Sequence, residues 1–179
     1  KTNNRYSNCL DSLKTAYKLT KDKKFIGIIT LPKNKIEINK FIDKNFIDQT
    51  TFFSNLEKNH KSNMIFIYKK KFFIPLTIHI ELKKVFLAFK QKKIIIDKIS
   101  SLIKTVKNDF RINNPNLIIA GINPHSGENG VISNDEDKYL IPIIRELKKR
   151  NIKINGPISG DSIINKSNLK NYDIFLFTY

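Results

Sequence analysis

The sequence predicts an α/β protein, a layered α/β/α arrangement around a mostly parallel sheet. Three observations predict it. Short apolar runs rich in β-branched residues alternate with longer amphipathic stretches, as buried strands covered by helices do. One stretch carries the helical period in full, because Ile96, Ile99, Ile103, Val106 and Phe110 are spaced 3, 4, 3 and 4 and fall on one stripe. The chemically unusual residues stand just after the apolar runs, where a parallel sheet exposes its carboxyl ends and gathers ligands.

Taken in order, Leu10, Leu13 and Tyr17, with Ala16, mark one face of a first helix. Residues 25–30 (FIGIIT) form an apolar run that reads as a buried strand, stopped by Leu31-Pro32. Residues 50–59 carry Phe52, Phe53 and Leu56 and read as a short helix with Thr50 or Asp48 near its cap. Segments 64–68 and 72–78 read as the arms of a hairpin, with Lys69, Lys70 and Lys71 in its turn. A helix over 94–110 follows, then a buried strand over 116–121 (NLIIAG). Residues 135–150 read as a helix whose acidic start (Asp135, Glu136, Asp137) and basic end (Lys148, Lys149, Arg150) suit its dipole. Segments 152–154 and 173–178 are the last strands, and 25–30, 116–121 and 173–178 are expected to neighbour one another in one sheet under helix 94–110.

Composition narrows the function classes. The 179 residues are 40% hydrophobic, enough for a sizeable core and against disorder. The sequence has no run of about 18 apolar residues, so no membrane span is expected. The single cysteine, Cys9, forms no intrachain disulfide and fits a reducing cytoplasm. The chain opens on Lys1-Thr2-Asn3 without an initiator Met or an apolar signal region, which reads as a trimmed chain or an internal fragment. The net charge of +17 points first to anionic partners. It comes from 29 Lys against 4 Arg, however, in a chain also crowded with Ile and Asn. Those three residue types share A/T-rich codons, whereas nucleic-acid surfaces draw on Arg for bidentate contacts. A nucleic-acid role is disfavoured.

The segment Gly121-Ile122-Asn123-Pro124-His125-Ser126-Gly127-Glu128-Asn129-Gly130 is the richest in signals. It reads either as a plain chain reversal or as a loop presenting a His and a Glu beside backbone amides. His79, after 72–78, is either a hydrogen-bonded structural residue or a metal ligand; a second His in the same kind of place, His125, strengthens the ligand reading. Two imidazoles fall short of the three protein ligands of a catalytic zinc-type site. His60 sits in a polar stretch and reads as solvated. Residues 155–162 (NGPISGDS) form a second turn-rich loop in which Asp161 either caps the next helix or orients a ligand. Lys35 is either a phosphate contact or one of many surface lysines.

These motifs, in this order, resemble those of the 4-hydroxythreonine-4-phosphate dehydrogenases. Residues 121–128 resemble that family's Asn-Pro-His-x-Gly-Glu motif, and Asn155-Gly156-Pro157 with Asp161-Ser162 its Asn-Gly-Pro…Ala-Asp-Thr segment. Thr77-Ile78-His79 resembles Thr-Thr-His, Thr30 to Lys35 resembles Thr-Gly-Pro-x-x-Lys, and Asp48 to Phe53 resembles Gly-His-Thr-Glu-Phe-Phe. The resemblance implies an isocitrate/isopropylmalate dehydrogenase-like fold. It also implies a cytoplasmic homodimer with a shared site, NAD as hydride acceptor, and a divalent metal (Zn, Mg or Co) acting as Lewis acid. His79 and His125 would be metal ligands, the third being a His just after the position of Tyr179. Gln49 and Thr50 would bind the phosphorylated substrate, with Asp161 and Lys35 as catalytic or orienting groups. Gln49 stands where the family has His, Leu31 replaces a Gly and Ile78 a Thr. Residues 1–179 would be the central fragment of a two-domain α/β dehydrogenase, without its N- and C-terminal regions, and inactive alone. The implied reaction is oxidation and decarboxylation of 4-phosphooxy-L-threonine in pyridoxal phosphate biosynthesis. The alternatives are a related dehydrogenase of four-carbon acid-sugar phosphates such as threonate 4-phosphate, and an inactive relic of the family.

Overall fold

The structure, a computed structural model, describes residues 2–57 and 62–179. His60 lies outside the described residues. The chain divides into two compact units, 1–62 and 63–179.

Among its described residues the first unit is helical. It comprises α1 (Thr2–Lys21), α2 (Lys35–Phe41) and α3 (Gln49–Leu56). Leu10, Leu13, Ile38 and Phe46 form its core, with Cys9, Ile42, Phe52 and Phe53 packed against them. Two asparagine and aspartate caps set the helix starts: Asn34 accepts from the Glu37 amide at 3.2 Å and Asp48 from the Thr51 amide at 2.8 Å. The expected strand over 25–30 is not formed. The segment is irregular, and Ile26 and Ile29 are almost fully exposed, at 110% and 99% of their reference areas. A strand needs a neighbour to hydrogen-bond, and the described part of this unit offers only helices.

The second unit is built on a five-stranded sheet: β1 (Phe66–Tyr68), β2 (Lys71–Pro75), β3 (Leu117–Ala120), β4 (Ile154–Ile158) and β5 (Ile174–Phe177). The order is β1-β2-β5-β3-β4, with only the β1–β2 pair antiparallel. The β1–β2 hairpin forms as expected, with Lys69 and Lys70 in its turn at φ 46° and 64°. Strands 116–121 and 173–178 do neighbour one another, as β3 and β5.

Side chains alternate across the sheet and sort into two cores. Phe72, Ile74, Leu117, Ile119, Ile174 and Leu176 face one side, against α4 (Val85–Lys90), α5 (Lys92–Phe110) and α6 (Ile141–Lys149). On α5 the buried stripe is Ile95, Ile96, Ile99, Leu102 and Val106, close to the sequence reading, although Phe110 remains 41% exposed. Ile118, Ala120 and Phe175 face the other side, where Ile163 and Leu169 of α7 (Lys166–Asn171) cover them. The topology explains the two helical layers. The path β2 to β3 to β4 advances across the sheet with α5 and α6 on one face. The return from β4 to β5 reverses direction, so a right-handed crossover carries α7 to the opposite face.

Two boundaries differ from the sequence reading. The 135–150 helix is a π turn over Glu136–Leu140 followed by α6. β4 runs on into Asn155-Gly156-Pro157-Ile158, which the sequence presents as a loop. Pro is tolerated there because β4 is the edge strand and needs no donor on its outer side. Gly156 sits at φ +121°, and a Cβ on it would lie 2.4 Å from the Ile119 carbonyl oxygen, so only glycine lets the strands approach.

Candidate functional site

All four parallel strands end on the same edge, and the segments that follow them carry the candidate residues. His79 follows β2, His125 follows β3, Asp161 follows β4 and Tyr179 follows β5. His79 and His125 are both exposed, unlike core histidines. Both are left-handed, at φ 57° and 50°, a region that costs a non-glycine residue roughly 1 kcal/mol or more. Since β5 lies between β2 and β3, the two histidines start from strands two spacings apart, roughly 10 Å.

The edge is tied together below these residues by buried polar groups. The Leu76 amide donates to the Phe177 carbonyl at 2.7 Å, the Thr77 hydroxyl to the Thr178 carbonyl at 2.6 Å, and the Thr178 hydroxyl to the Gly121 carbonyl at 2.8 Å. The Gly121 amide then donates to the Ile158 carbonyl at 2.8 Å. These bonds extend the ladder past the last strand residues and lock the four strand ends in register. The half-buried Lys98 of α5 adds its ammonium to the Leu76 carbonyl at 2.8 Å, and burial holds its pKa below the ordinary lysine value.

The turn after β3 is unusual. His125, Ser126, Gly127, Glu128 and Asn129 are all left-handed in succession. Four of these are not glycine, so the turn stores strain that its surroundings must offset. Glu136 supplies the support. It is 4% exposed, and its Oε1 accepts from the Ile122 amide at 2.8 Å and the Asn123 amide at 2.7 Å. Its Oε2 accepts from Asn123 Nδ2 at 3.2 Å. A Cβ on Gly127 would stand 2.6 Å from that oxygen, which is why the turn closes around the carboxylate only with glycine there.

His125 and Asp161 share a pocket of about 290 Å³ with Asn123, Pro124, Ser159 and Tyr179. The Ser159 hydroxyl donates to Asp161 at 2.5 Å and holds its carboxyl below the usual carboxylate range, with the nearby His125 adding to the effect. Asp161 does not cap the next helix; Asn165 caps α7, accepting from the Asn168 amide at 2.8 Å. Lys35, Gln49 and Thr50 belong to the other unit. Lys35 is exposed at the start of α2, and Gln49 and Thr50 open α3. The Gln49 amide donates to the Leu31 carbonyl at 3.3 Å, so two of the motifs meet within that unit. Among the described residues no group of three or more His, Cys, Asp or Glu side chains is placed to hold a metal. Glu136, Thr178 and Ser159 had no distinguishing signal in the sequence. Glu136 in particular reads there as one of three acids favouring a helix dipole.

A mostly parallel sheet with two histidines and an aspartate beyond its carboxyl ends defines an α/β fold of the class in which that edge is where ligands gather. Comparison with known proteins carries this further. The model of the pyridoxal phosphate biosynthetic protein PdxA family matches residues 2–179, and the chain belongs to that family. A 4-hydroxythreonine-4-phosphate dehydrogenase of Zymomonas mobilis is 31% identical over 167 residues, 92% of this chain and 49% of that protein. A relative from Oceanobacillus iheyensis, provisionally named D-threonate 4-phosphate dehydrogenase, is 27% identical over 93% of this chain and 50% of its own length. The crystal structure of a 4-hydroxythreonine-4-phosphate dehydrogenase from Klebsiella pneumoniae shares the fold at a TM-score of 0.81 and 21% identity, covering 97% of this chain and 53% of that one. The chain thus spans about half the length of the curated relatives it matches. Among the described residues no helix is long and apolar enough to cross a membrane.

Proposed function

We propose that this chain is part of a dehydrogenase that oxidises 4-phosphooxy-L-threonine, with decarboxylation, to 3-amino-2-oxopropyl phosphate. The observation that carries the reading is that His125 and Asp161 line one pocket on the carboxyl edge, in a chain of this family. A divalent cation (Zn, Mg or Co) would be held by His79 and His125. The fit is that of an incomplete donor set, two exposed imidazoles beyond strand ends on the same edge of the sheet, with β5 between their strands. When bound, the cation supplies Lewis-acid polarisation of the substrate oxygens and NAD the acceptor for hydride. The chain's own residues do the rest. Asp161, held by the Ser159 hydroxyl, would orient groups on the His125 side of the pocket. Gln49 and Thr50 would bind the phosphorylated substrate, with Lys35 as a catalytic or orienting group. The same reading takes the isocitrate/isopropylmalate dehydrogenase-like fold, a homodimer with a shared site and a cytoplasmic setting from the family. A D-threonate 4-phosphate substrate is the second reading, favoured by the Oceanobacillus relative.

Calorimetric zinc titration of the protein at its full genomic length, with His79→Ala and His125→Ala, tests the metal assignment. Each variant should lose at least about tenfold in affinity, because each removes a direct ligand bond. Affinities equal to the parent's would make both histidines structural. NADH formation with each of the two phosphorylated substrates then separates the two readings.

A further inference from the structure

We propose that Glu136 is the positioning residue of this site: its buried carboxylate is the template around which the 122–127 turn folds, and so it decides where His125 stands. The inference deepens the metal reading above and its functional meaning rests on it, although the structural claim can be tested without any metal.

Among the described residues only four polar or charged residues are buried, namely Asp48, Thr77, Glu136 and Thr178. Asp48 is accounted for by its cap on α3, and the two threonines tie strand ends. Glu136 is the one buried carboxylate of the sheet unit. A buried charge is costly unless fully hydrogen-bonded, and here the bonds all come from one short stretch of chain. Oε1 takes the amides of Ile122 and Asn123, and Oε2 takes the Asn123 side chain. Asn123 Nδ2 also reaches Asp135 Oδ2 at 3.3 Å.

The stretch needs holding. The strained left-handed run begins at His125, two residues after the last amide Glu136 accepts. Anchoring Ile122 and Asn123 fixes the direction in which the chain leaves β3. The closing of Gly127 over Oε2 fixes the far side of the turn. His125 stands between the two anchors. The exposed His125 ring is therefore aimed from beneath by a group that is not among those lining the His125–Asp161 pocket. Orientation by such supporting groups commonly sets ligand affinity within a factor of 10 to 100.

The geometry specifies which replacements succeed. Both backbone amides bond the same oxygen, Oε1, so the single carbonyl oxygen of a glutamine can accept both. Its amide nitrogen would replace Oε2 opposite Asn123, whose own amide can turn to present oxygen, giving up its long 3.3 Å bond to Asp135. An aspartate is one methylene shorter and cannot reach both amides from the same position.

The experiment is amide hydrogen exchange by NMR on this chain, comparing the parent with Glu136→Gln, Glu136→Asp and Glu136→Ala. The amides of Ile122 and Asn123 should exchange at least about tenfold faster in the Asp and Ala variants. In the Gln variant they should stay within about threefold of the parent. The strand amides of Ile118 and Phe175 should change in none of them. If Ala prevents folding, the contrast between Gln and Asp decides alone. Unchanged exchange at Ile122 and Asn123 in the Asp variant overturns the proposal. So does equal loss in Gln and Asp, and so does loosening of Ile118 and Phe175 by the same factor, which would make Glu136 a general stabiliser. Zinc titration of the same variants at full genomic length is the second arm, with about 10- to 100-fold weaker binding expected for Asp and near-parental binding for Gln. Equal affinities in parent and Asp variant overturn the link to His125. A parent that binds no zinc overturns the metal reading instead, while the exchange result still decides the role of Glu136.

Discussion

Replacing Thr178 by Val should unlock the carboxyl edge of the sheet while keeping the side-chain shape. Thr178 is 2% exposed and its hydroxyl donates to the Gly121 carbonyl at 2.8 Å, one residue beyond the end of β3. Valine leaves that buried acceptor without this donor, which costs about 1–3 kcal/mol. Serine at the same position keeps the donor and removes one methyl group, at about 0.8 kcal/mol plus a small cavity. Stability should therefore fall in the order parent, Thr178→Ser, Thr178→Val. Urea titration gives the measurement. The chain has no Trp and folds as two units, so the transition is followed through NMR signals of residues 63–179 rather than one bulk probe. The midpoint should move while the m-value stays constant, which shows that stability rather than compactness has changed. A valine variant as stable as the parent, or a serine variant less stable than the valine one, would refute the argument that the hydroxyl is what matters. Because Thr77 donates to the Thr178 carbonyl at 2.6 Å, the Thr77→Val and Thr178→Val effects should also be non-additive by about 0.5 kcal/mol or more.

Gly156→Ala should be among the most damaging single changes in the sheet unit. The residue is at φ +121° and the added Cβ would stand 2.4 Å from a backbone oxygen that cannot swing away. A loss of about 3 kcal/mol or more in urea titration is expected; a loss below about 1 would show that β4 can shift freely. Lys98→Met should change the pH dependence of stability. Burial lowers the Lys98 pKa in the folded state from 10.5, so the unfolded chain binds the proton more tightly. The parent then gains stability as pH rises through the folded pKa towards 10.5, and the Met variant lacks that gain. The difference between the two urea midpoints should shift in the parent's favour across the alkaline range, and a constant difference would contradict the assignment.

How much of this was legible in the sequence depends on whether a signal is local. The periodic stripe on α5, the hairpin around Lys69 and Lys70, and the β3 and β5 runs were readable because burial of one face imposes its period on the residues that form it. The family was readable because its motifs sit in loops whose glycine, proline, histidine and asparagine are dictated by turn geometry and chemistry rather than by packing. The location of His79, His125 and Asp161 beyond strand ends followed from the same two signals.

Residues 25–30 mark the limit of that reasoning. An apolar β-branched run states that a segment is suited to pairing, and the partner strand is a property of the fold; without one, Ile26 and Ile29 stand exposed. The β4 boundary failed for the converse reason. Asn-Gly-Pro is a turn signal in isolation, but a place on the sheet edge frees Pro157 from donating, and contact with Ile119 makes use of Gly156. Glu136 is the clearest case. Its sequence neighbours, Asp135 and Asp137, are acids as it is, and only the path of the chain after β3 turns this one carboxylate into a buried acceptor for Ile122 and Asn123. The sequence by itself determined most of the elements, the family and the candidate site residues, because those are written in composition and short-range spacing. The tertiary structure alone decided the full strand order and which polar groups are buried, because a hydrogen bond between residues 14 or 57 positions apart has no local signature.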